Sequence, residues 1–385
     1  MTITFEALRA KFGDALMLHY GPDDDRQLVI IDGGPPGVWD DAVHDRLNQL
    51  RDERGLEDKE ALEIALLMVS HIDADHIAGV IELMQLLDEH RANKTAPPYK
   101  VRKAWVNTFE DLTGEKPGGA SFGAAEAAAL AASPLGGALV KTKSGIELAS
   151  VGQGRRLRDL IKTMSLAGNN PFGPLVTVDN AQNPVSLDEL KLTVVGPSKK
   201  NIDALQKDWA KHVKPLLKEK KHAEVADYVD KSVYNLSSII VLAEIDGKRI
   251  LLTGDGRGDH TLAGLKEKGF LDAKGKMEVD ILKLPHHGSE RDVKLDYFQS
   301  IHAKHYVISA NGKFDNPDLP TLKMISAARK GDDNFTIWLT NPTNEFELPN
   351  IGKGVQAFFD AEKKAGRKYR VNQRKSNDLS IVIDL

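Results

Sequence analysis

The sequence predicts a mixed α/β (α+β) fold, and three observations carry that expectation. Short apolar or alternating runs are separated by turns rich in glycine, proline and aspartate, as strands are. Longer stretches repeat their apolar residues at helical spacing, as in Ile77, Val80, Ile81, Met84 and Leu87. Asp32, His71, Asp255, His286, His287 and Asn311 all fall just past the C-terminal end of a predicted strand. Polar groups gathered in this way from distant stretches are what a composite site at one sheet edge requires, and loops on a rigid scaffold are where chemistry is usually presented.

Runs 3–8, 15–20 and 27–31 read as strands, split by Gly13-Asp14 and by Gly21-Pro22-Asp23-Asp24-Asp25. The third ends in the sharp turn Asp32-Gly33-Gly34-Pro35-Pro36. A helix is expected over 41–54, and the continuous apolar run 64–69 suits a strand buried on both faces. That strand gives way at once to His71-Ile72-Asp73-Ala74-Asp75-His76, which therefore sits in a strand-to-helix loop. Signals thin out between about 88 and 230. There we expect a strand at 100–106, helices at 121–132 and 154–166, a loop at 169–173, a strand at 190–195, and a charged helical stretch at 199–230 interrupted by Pro215. Regularity returns with strands at 238–245 and 248–252 joined by Asp246-Gly247, a strong signal for a two-residue hairpin. The second of these ends in Thr253-Gly254-Asp255-Gly256. After a helical stretch, the run 279–284 ends in Pro285-His286-His287-Gly288-Ser289. Strands at 306–309 and 380–385 close the pattern, and no internal repeat is seen. The chain reads as one domain over 1–385 with a variable or inserted region at about 88–230.

Bulk properties exclude several classes. With 385 residues, 41% apolar and 28% charged, a sizeable core can be buried. A formal charge of −4 gives no global basic field for nucleic acid. The absence of cysteine rules out disulfides, thiolate metal sites and thiol nucleophiles. The first residues, Met1-Thr2-Ile3-Thr4-Phe5-Glu6, show no signal-peptide pattern, and no run of about 18 apolar residues predicts a membrane span. The cytoplasm is the expected location.

The hexapeptide His71-x-Asp73-x-Asp75-His76 concentrates four metal-ligating side chains in six residues. Imidazole suits zinc and manganese, and carboxylate oxygen suits manganese as well. Alternate residues of an extended loop point the same way, so His71 and Asp73 can share one ion. Asp75 and His76, beyond a bend, can face a second, and a carboxylate such as Asp255 can bridge the two. A water between two such cations is acidified to hydroxide near neutral pH, much as a single zinc lowers the pKa of water to about 7. The bland reading is a solvated loop in which Asp75 caps the following helix.

The cluster resembles the HxHxDH signature of the metallo-β-lactamase superfamily, with Asp73 in place of the second histidine. The HxDxDH form is similar to the branch that holds the ComEC hydrolase domain and phosphorylcholine esterase. Gly13-Asp14-Ala15, Ile31-Asp32-Gly33-Gly34, Asn235-Leu236-Ser237-Ser238, Leu251-Leu252-Thr253-Gly254-Asp255 and Leu282-Lys283-Leu284-Pro285-His286-His287-Gly288-Ser289 resemble further pieces in the same order. The match covers 1–90 and 230–312 and fades between them. It implies a four-layer αββα sandwich with two divalent ions, zinc or manganese, at the sheet edge. It implies His71, Asp73 and Asp255 around one ion, and Asp75, His76, Asp255 and a histidine of the pair around the other. His287 is the preferred ligand, although spacing alone does not decide between the two. His286 then faces substrate as a phosphate contact or proton donor, and Asp75, His286 and Asn235 are the positions expected in the reaction itself. Two departures matter. Asp73 replaces the second histidine and Asn235 stands near where a third would be, which leaves the first ion a single imidazole and shifts preference from a closed zinc site towards manganese or an exchangeable ion. Asn316-Pro317-Asp318-Leu319-Pro320 puts Leu319 where that branch often carries a histidine.

Secondary candidates each have a bland counterpart. Asp32 either supports the ligands by hydrogen bonding or is a turn aspartate. Lys283 either meets a substrate phosphate or is a solvated strand-edge lysine. Asn311 either supports the site or makes an ordinary Asn-Gly turn. Arg155-Arg156-Leu157-Arg158, the lysines of 199–221, and 363–375 with Tyr369 either track a phosphate backbone or are solvated helix faces with Asp159, Glu219 and Glu362 interleaved. The leading functional expectation is a phosphodiesterase or nuclease using a metal-bridging hydroxide, with a phosphodiester or nucleic acid as substrate. The alternatives are hydrolysis of a lactone or thioester, and a metal-stabilised subunit that binds a protein partner through 88–230.

Overall fold

The computed structural model describes residues 2–108, 112, 143–208, 211 and 236–385. Its backbone is organised by two sheets. One holds seven strands in the order Ser380–Asp384, Thr2–Leu8, Leu16–Gly21, Gln27–Ile31, Leu66–Met68, Lys103–Trp105 and Ala167–Gly168. The other holds eight, in the order Arg370–Gln373, Thr336–Leu339, Ile301–Ile308, Met277–Lys283, Lys248–Leu252, Ile240–Ile245, Leu190–Gly196 and Val185–Leu187.

Because strand side chains alternate between faces, each sheet sorts its apolar residues into two sets. Ile3, Phe5, Leu18, Val29 and Ile31 of the first sheet meet Leu192, Val194, Val241, Ala243 and Ile250 of the second in a shared core. The opposite face of the first sheet, with Leu8, Met17, Leu28 and Ile30, packs on helices His44–Glu53, Ala74–Asn93 and Lys143–Thr163 through residues such as Leu47, Ile77 and Leu157. The opposite face of the second, with Leu242, Leu251, Leu282 and Tyr306, packs on Gly258–Glu267, Leu295–Ser300, Leu319–Ala328 and Pro349–Lys364. The result is a four-layer αββα sandwich, the architecture the resemblance implied.

Two expected strands divide. Run 64–69 becomes Leu62–Ile64 and Leu66–Met68, and run 100–106 becomes Tyr99–Val101 and Lys103–Trp105. The first halves pair with each other in a separate two-stranded ladder, while the second halves join the seven-stranded sheet. The reason is a phase slip. Leu62, Ile64, Leu67 and Val69 all face the same helices, as do Tyr99, Val101, Ala104 and Val106, so the alternation skips a residue at Ala65 and at Arg102. The hairpin at Asp246-Gly247 forms as expected, with φ of 47° and 76° and Ile245 opposite Lys248. Of the stretch 199–230, Lys199–Asp208 is helical, while nearly all of the remainder and the helix expected at 121–132 lie outside the described residues.

Strands Gln27–Ile31, Leu66–Met68 and Lys103–Trp105 run parallel, as do Lys248–Leu252, Met277–Lys283, Ile301–Ile308 and Thr336–Leu339. Their C-terminal ends therefore present their loops along one edge of each sheet, and those loops carry Asp32, His71, Asp255, His286, His287 and Asn311. Among the described residues, no helix is long and apolar enough to cross a membrane.

Candidate metal centre

The hexapeptide leaves its strand extended and then bends into the helix Ala74–Asn93. Asp73 holds the N-cap position with φ −65° and ψ 144°, and its carbonyl accepts the backbone N–H of His76 and Ile77. Its side chain makes no capping bond, so the carboxylate is left to face His71. Asp75 lies within the first turn and is not the cap, which removes the bland reading of that residue. Gly13 explains how a second loop reaches the cluster: a Cβ there would lie 1.8 Å from the backbone oxygen of Asp75, so only glycine permits the approach that brings in Asp14.

The side chains converge on Asp255. Its Oδ1 lies 3.3 Å from His76 Nε2 and 3.5 Å from His287 Nε2. Its Oδ2 lies 3.8 Å from His71 Nε2 and 3.7 Å from His286 Nε2. Asp73 stands 3.2 Å from His71 Nε2, and Asp75 stands 3.4 Å from His287 Nε2 and 3.9 Å from His76 Nε2. Ligand atoms of His71, His76 and Asp255 lie within 4.8 Å of one another, as do those of Asp75, His76 and His287, so His76 belongs to both groups. The structure thus brings together His71, Asp73, Asp75, His76, Asp255, His286 and His287. Asn235 lies outside the described residues.

Each imidazole is held from behind. His76 Nδ1 donates to Asp32 at 2.9 Å, His286 Nδ1 pairs with Asp292, and His287 Nδ1 donates to the carbonyl of Ser309 at 2.8 Å. Ser70 gives its one hydroxyl hydrogen to Asp32 at 2.7 Å, so at 3.1 Å it accepts from His71 Nδ1. These bonds fix the tautomers and aim Nε2 inward, the usual duty of groups that support metal ligands. His71 Nε2, His76 Nε2, His287 Nε2, Asp73 Oδ1 and Asp255 Oδ1 are buried without a hydrogen-bond partner. A buried lone pair left unmatched is costly, and a cation is the partner this donor set fits.

Charge agrees with geometry. Asp14, Asp32, Asp73, Asp75, Asp255 and Asp292 stand around four imidazoles and a single lysine, Lys283. Burial and the neighbouring His76 work against a proton on His71, but Asp73 and Asp255 outweigh them and raise its pKa. Burial likewise opposes a proton on His76, yet Asp255, Asp32 and Asp75 raise its pKa well above the usual value. Burial pushes Asp255 up, but His287, His286 and His76 pull it well below the usual carboxylate range. Asp75 is lowered against burial by His76 and His287. The centre is a place where positive charge is favoured.

Three of these residues hold left-handed backbone: Asp32 at φ 61°, His286 at 45° and His287 at 55°. Non-glycine residues rarely adopt that region, and such strain concentrates at functional sites.

Several secondary readings are settled. Asp32 supports His76 and Ser70 and is fully buried, so it is no solvated turn aspartate. Lys283 is neither solvated nor at a strand edge. It is 0% exposed, on a central strand, and paired with Asp14. Asn311 makes a local turn, accepting from Lys313 N at 3.2 Å, and lines the cavity beside the site. Leu319 begins a helix and packs on its apolar cluster. In the basic stretches, Arg158 pairs with Asp159, Lys199 with Asp203, Arg367 with Asp333 and Arg374 with Glu345, while the lysines at 212–221 lie outside the described residues. Sequence reading gave no role to Asp14, Ser70, Ser309 or Asp292. Only Asp14, in a Gly-Asp turn between strands, carried a local signal.

No protein-family model matches the chain, and no curated protein does either. Among solved structures, the chain is similar to Zn2+-bound PqqB from Methylobacterium extorquens at 10% identity, over 99% of this chain and 100% of that one, with a TM-score of 0.37. It is similar to a Cronobacter sakazakii metallo-β-lactamase with a HARLDQ motif at 14% identity, over 94% of this chain and 84% of that one, with a TM-score of 0.26. At these identities and scores the chemistry has to be argued from the chain's own residues.

Proposed function

We propose that the chain is a metal-dependent hydrolase that cleaves phosphodiesters at a centre taking two divalent cations, zinc or manganese. The observation that carries the reading is the division of Asp255, whose two oxygens face different imidazoles, His76 and His287 on one side and His71 and His286 on the other. His71, Asp73 and Asp255 would hold one cation, and Asp75, His76, Asp255 and His287 the other. Bound there, the cations supply Lewis acidity and lower the pKa of a water molecule enough to make it a nucleophile.

The rest is the work of the protein. Asp32, Ser70 and Ser309 keep the ligating rings in one tautomer. Asp75 and His286, together with His287, line a small cavity beside the centre. With Asp292 behind its Nδ1 and its Nε2 3.7 Å from Asp255 Oδ2, His286 lines that cavity and is the residue we assign to hand a proton to the departing alkoxide. The carboxylate-rich donor set and the HxDxDH and HHGS spellings, which resemble the ComEC-type branch, favour phosphorus over carbon as the electrophile.

The test is elemental analysis of protein purified without chelator, followed by assays with bis(p-nitrophenyl) phosphate, single- and double-stranded DNA, and RNA after each metal is restored. About two ions per chain are expected, on the two-metal logic of such sites. Turnover under Mn2+ or Zn2+ should disappear in Asp255→Asn. Metal bound without turnover of any of these esters would retire the phosphodiester reading, and cleavage of lactones or thioesters in their place would move the reaction to carbon.

A further inference from the structure

The cavity that opens on Asp75, His286 and His287 is walled on its other side by Phe12, Lys313 and Phe314. The two rings meet edge to face, with centroids 5.2 Å apart and planes at 87°. Lys313 Nζ stands 4.3 Å from the centre of Phe12 and 5.6 Å from that of Phe314. All three side chains are partly exposed, and neither phenylalanine belongs to any of the hydrophobic clusters of the described residues. Core packing therefore does not account for them. Lys313 is the one lysine or arginine in the lining, and its nearest carboxylate, Glu347, is 4.0 Å away.

The two loops that supply these residues are locked together beside the centre. Ser309 Oγ donates to the carbonyl of Gly13 at 2.6 Å, and Asn341 Nδ2 donates to the carbonyls of Lys11 at 3.0 Å and Ala310 at 2.8 Å. The aromatic pair and the ammonium are thus held at a fixed place relative to Asp75 and His286, with the cation in the same cavity lining as those two residues.

We infer that Phe12, Lys313 and Phe314 form a recognition platform for a single-stranded nucleotide, on which a base stacks while the ammonium meets a phosphate next to the scissile bond. The inference rests on the phosphodiester reading and adds the identity of the substrate's organic part. Aromatic side chains beside a cationic group are the means by which proteins hold unpaired bases without reading their sequence, since every base offers a flat face. A cation over a ring at a partly exposed position is weakly held, so the Lys313 ammonium can move to a phosphate oxygen and uncover Phe12. A base inside a duplex has both faces covered, which confines this platform to single strands.

The test compares binding of two probes to the metal-loaded protein by fluorescence anisotropy: a short oligothymidylate with hydrolysis-resistant phosphorothioate linkages, and an abasic strand with the same linkages, length and charge. The wild type should bind the base-bearing strand at least roughly fivefold tighter, the lower end of what one stack contributes. Phe314→Ala and Phe12→Ala should erase that preference, and Phe314→Trp should keep it. Lys313→Gln should weaken both probes by one common factor and reduce the salt slope by roughly 0.7. A wild type that does not distinguish the two strands, or a Phe314→Ala that weakens both alike, overturns the platform. The two readings fail separately. Base preference without turnover of any phosphodiester leaves the platform standing and removes the reaction, whereas turnover without base preference does the reverse.

Discussion

Divalent cations should raise the melting temperature of this protein, and a single carboxylate should control the whole gain. Among the described residues, five buried atoms of the proposed ligands have no hydrogen-bond partner: His71 Nε2, His76 Nε2, His287 Nε2, Asp73 Oδ1 and Asp255 Oδ1. At roughly 1–3 kcal/mol for each unmatched buried group, coordination can recover on the order of 5–15 kcal/mol. A titration reads less than that, because stabilisation follows mass action and reaches about 2.7 kcal/mol per site at a hundred times the dissociation constant. Unfolding entropy of roughly 2.1 cal/mol/K per residue gives this chain about 0.8 kcal/mol per degree. One cation should therefore raise the midpoint by about 3 °C and two by about 7 °C. The assay is thermal unfolding of chelator-treated protein titrated with Zn2+ or Mn2+, run beside elemental analysis. Asp73→Asn removes a ligand of one cation only and should retain the shift of about 3 °C belonging to the other. Asp255→Asn, which takes the charge from between both groups of imidazoles, should leave a shift near zero. A wild type indifferent to both metals refutes the two-cation reasoning, and an Asp255→Asn shift equal to that of Asp73→Asn refutes the sharing of Asp255.

Three further outcomes follow from contacts around and beyond the centre. Burial pushes the Glu6 carboxyl up, but the His19 hydrogen bond and the Arg46 charge hold it down at about 2 against 4.5. A lowered folded-state value adds stability that is present above the unfolded pKa and lost as pH falls through the folded one. Glu6→Gln should therefore cost about 3 kcal/mol in urea unfolding at pH 7, and the gap should close as pH falls from about 4.5 to 2; a gap independent of pH would contradict this. Lys283→Met strands Asp14 without its cation in the interior and should cost roughly 3–5 kcal/mol, whereas Asp14→Asn with Lys283→Met should recover most of it; a double variant as unstable as the single one argues against the pair. Asp292→Asn should lower kcat by roughly 10–100-fold with metal content unchanged, because it unseats a proton donor; loss of a metal ion in that variant would make His286 a ligand instead.

The reach of the sequence can be judged residue by residue. The convergence of the hexapeptide His71–His76 was legible because its polar side chains are contiguous and follow an apolar run, so a local bend is enough to bring them together. Asp255 and the pair His286-His287 were legible because strand ends announce themselves through glycine and proline. The division at Arg102 left a mark, the adjacent basic pair Arg102-Lys103 between apolar Val101 and Ala104, which breaks the alternation where the strand divides. The division at Ala65 was not legible, since 64–69 is an unbroken apolar run in which a slip of alternation leaves no mark. Nor was the burial of Lys283. A lysine at a strand end reads as solvated unless the order of strands is known, and here its strand has Lys248–Leu252 on one side and Ile301–Ile308 on the other. The hidden residues share a feature. Ser70, Ser309 and Asp292 act on the far side of an imidazole, where an ordinary loop residue becomes a tautomer lock only through the ring it meets. Spacing reveals atoms that must share one cation, because those atoms obey a common geometry. It does not reveal the groups that orient them, because any hydrogen-bond acceptor on any neighbouring element satisfies Nδ1–H. The roles of His286 and His287 illustrate the limit. Adjacent in the chain and alike in chemistry, they differ in what stands behind each ring, a carboxylate for one and a backbone carbonyl for the other, and either acceptor can orient a metal ligand. That difference is tertiary, which is why it takes the Asp292→Asn variant, rather than a closer reading of the motif, to separate ligand from proton donor.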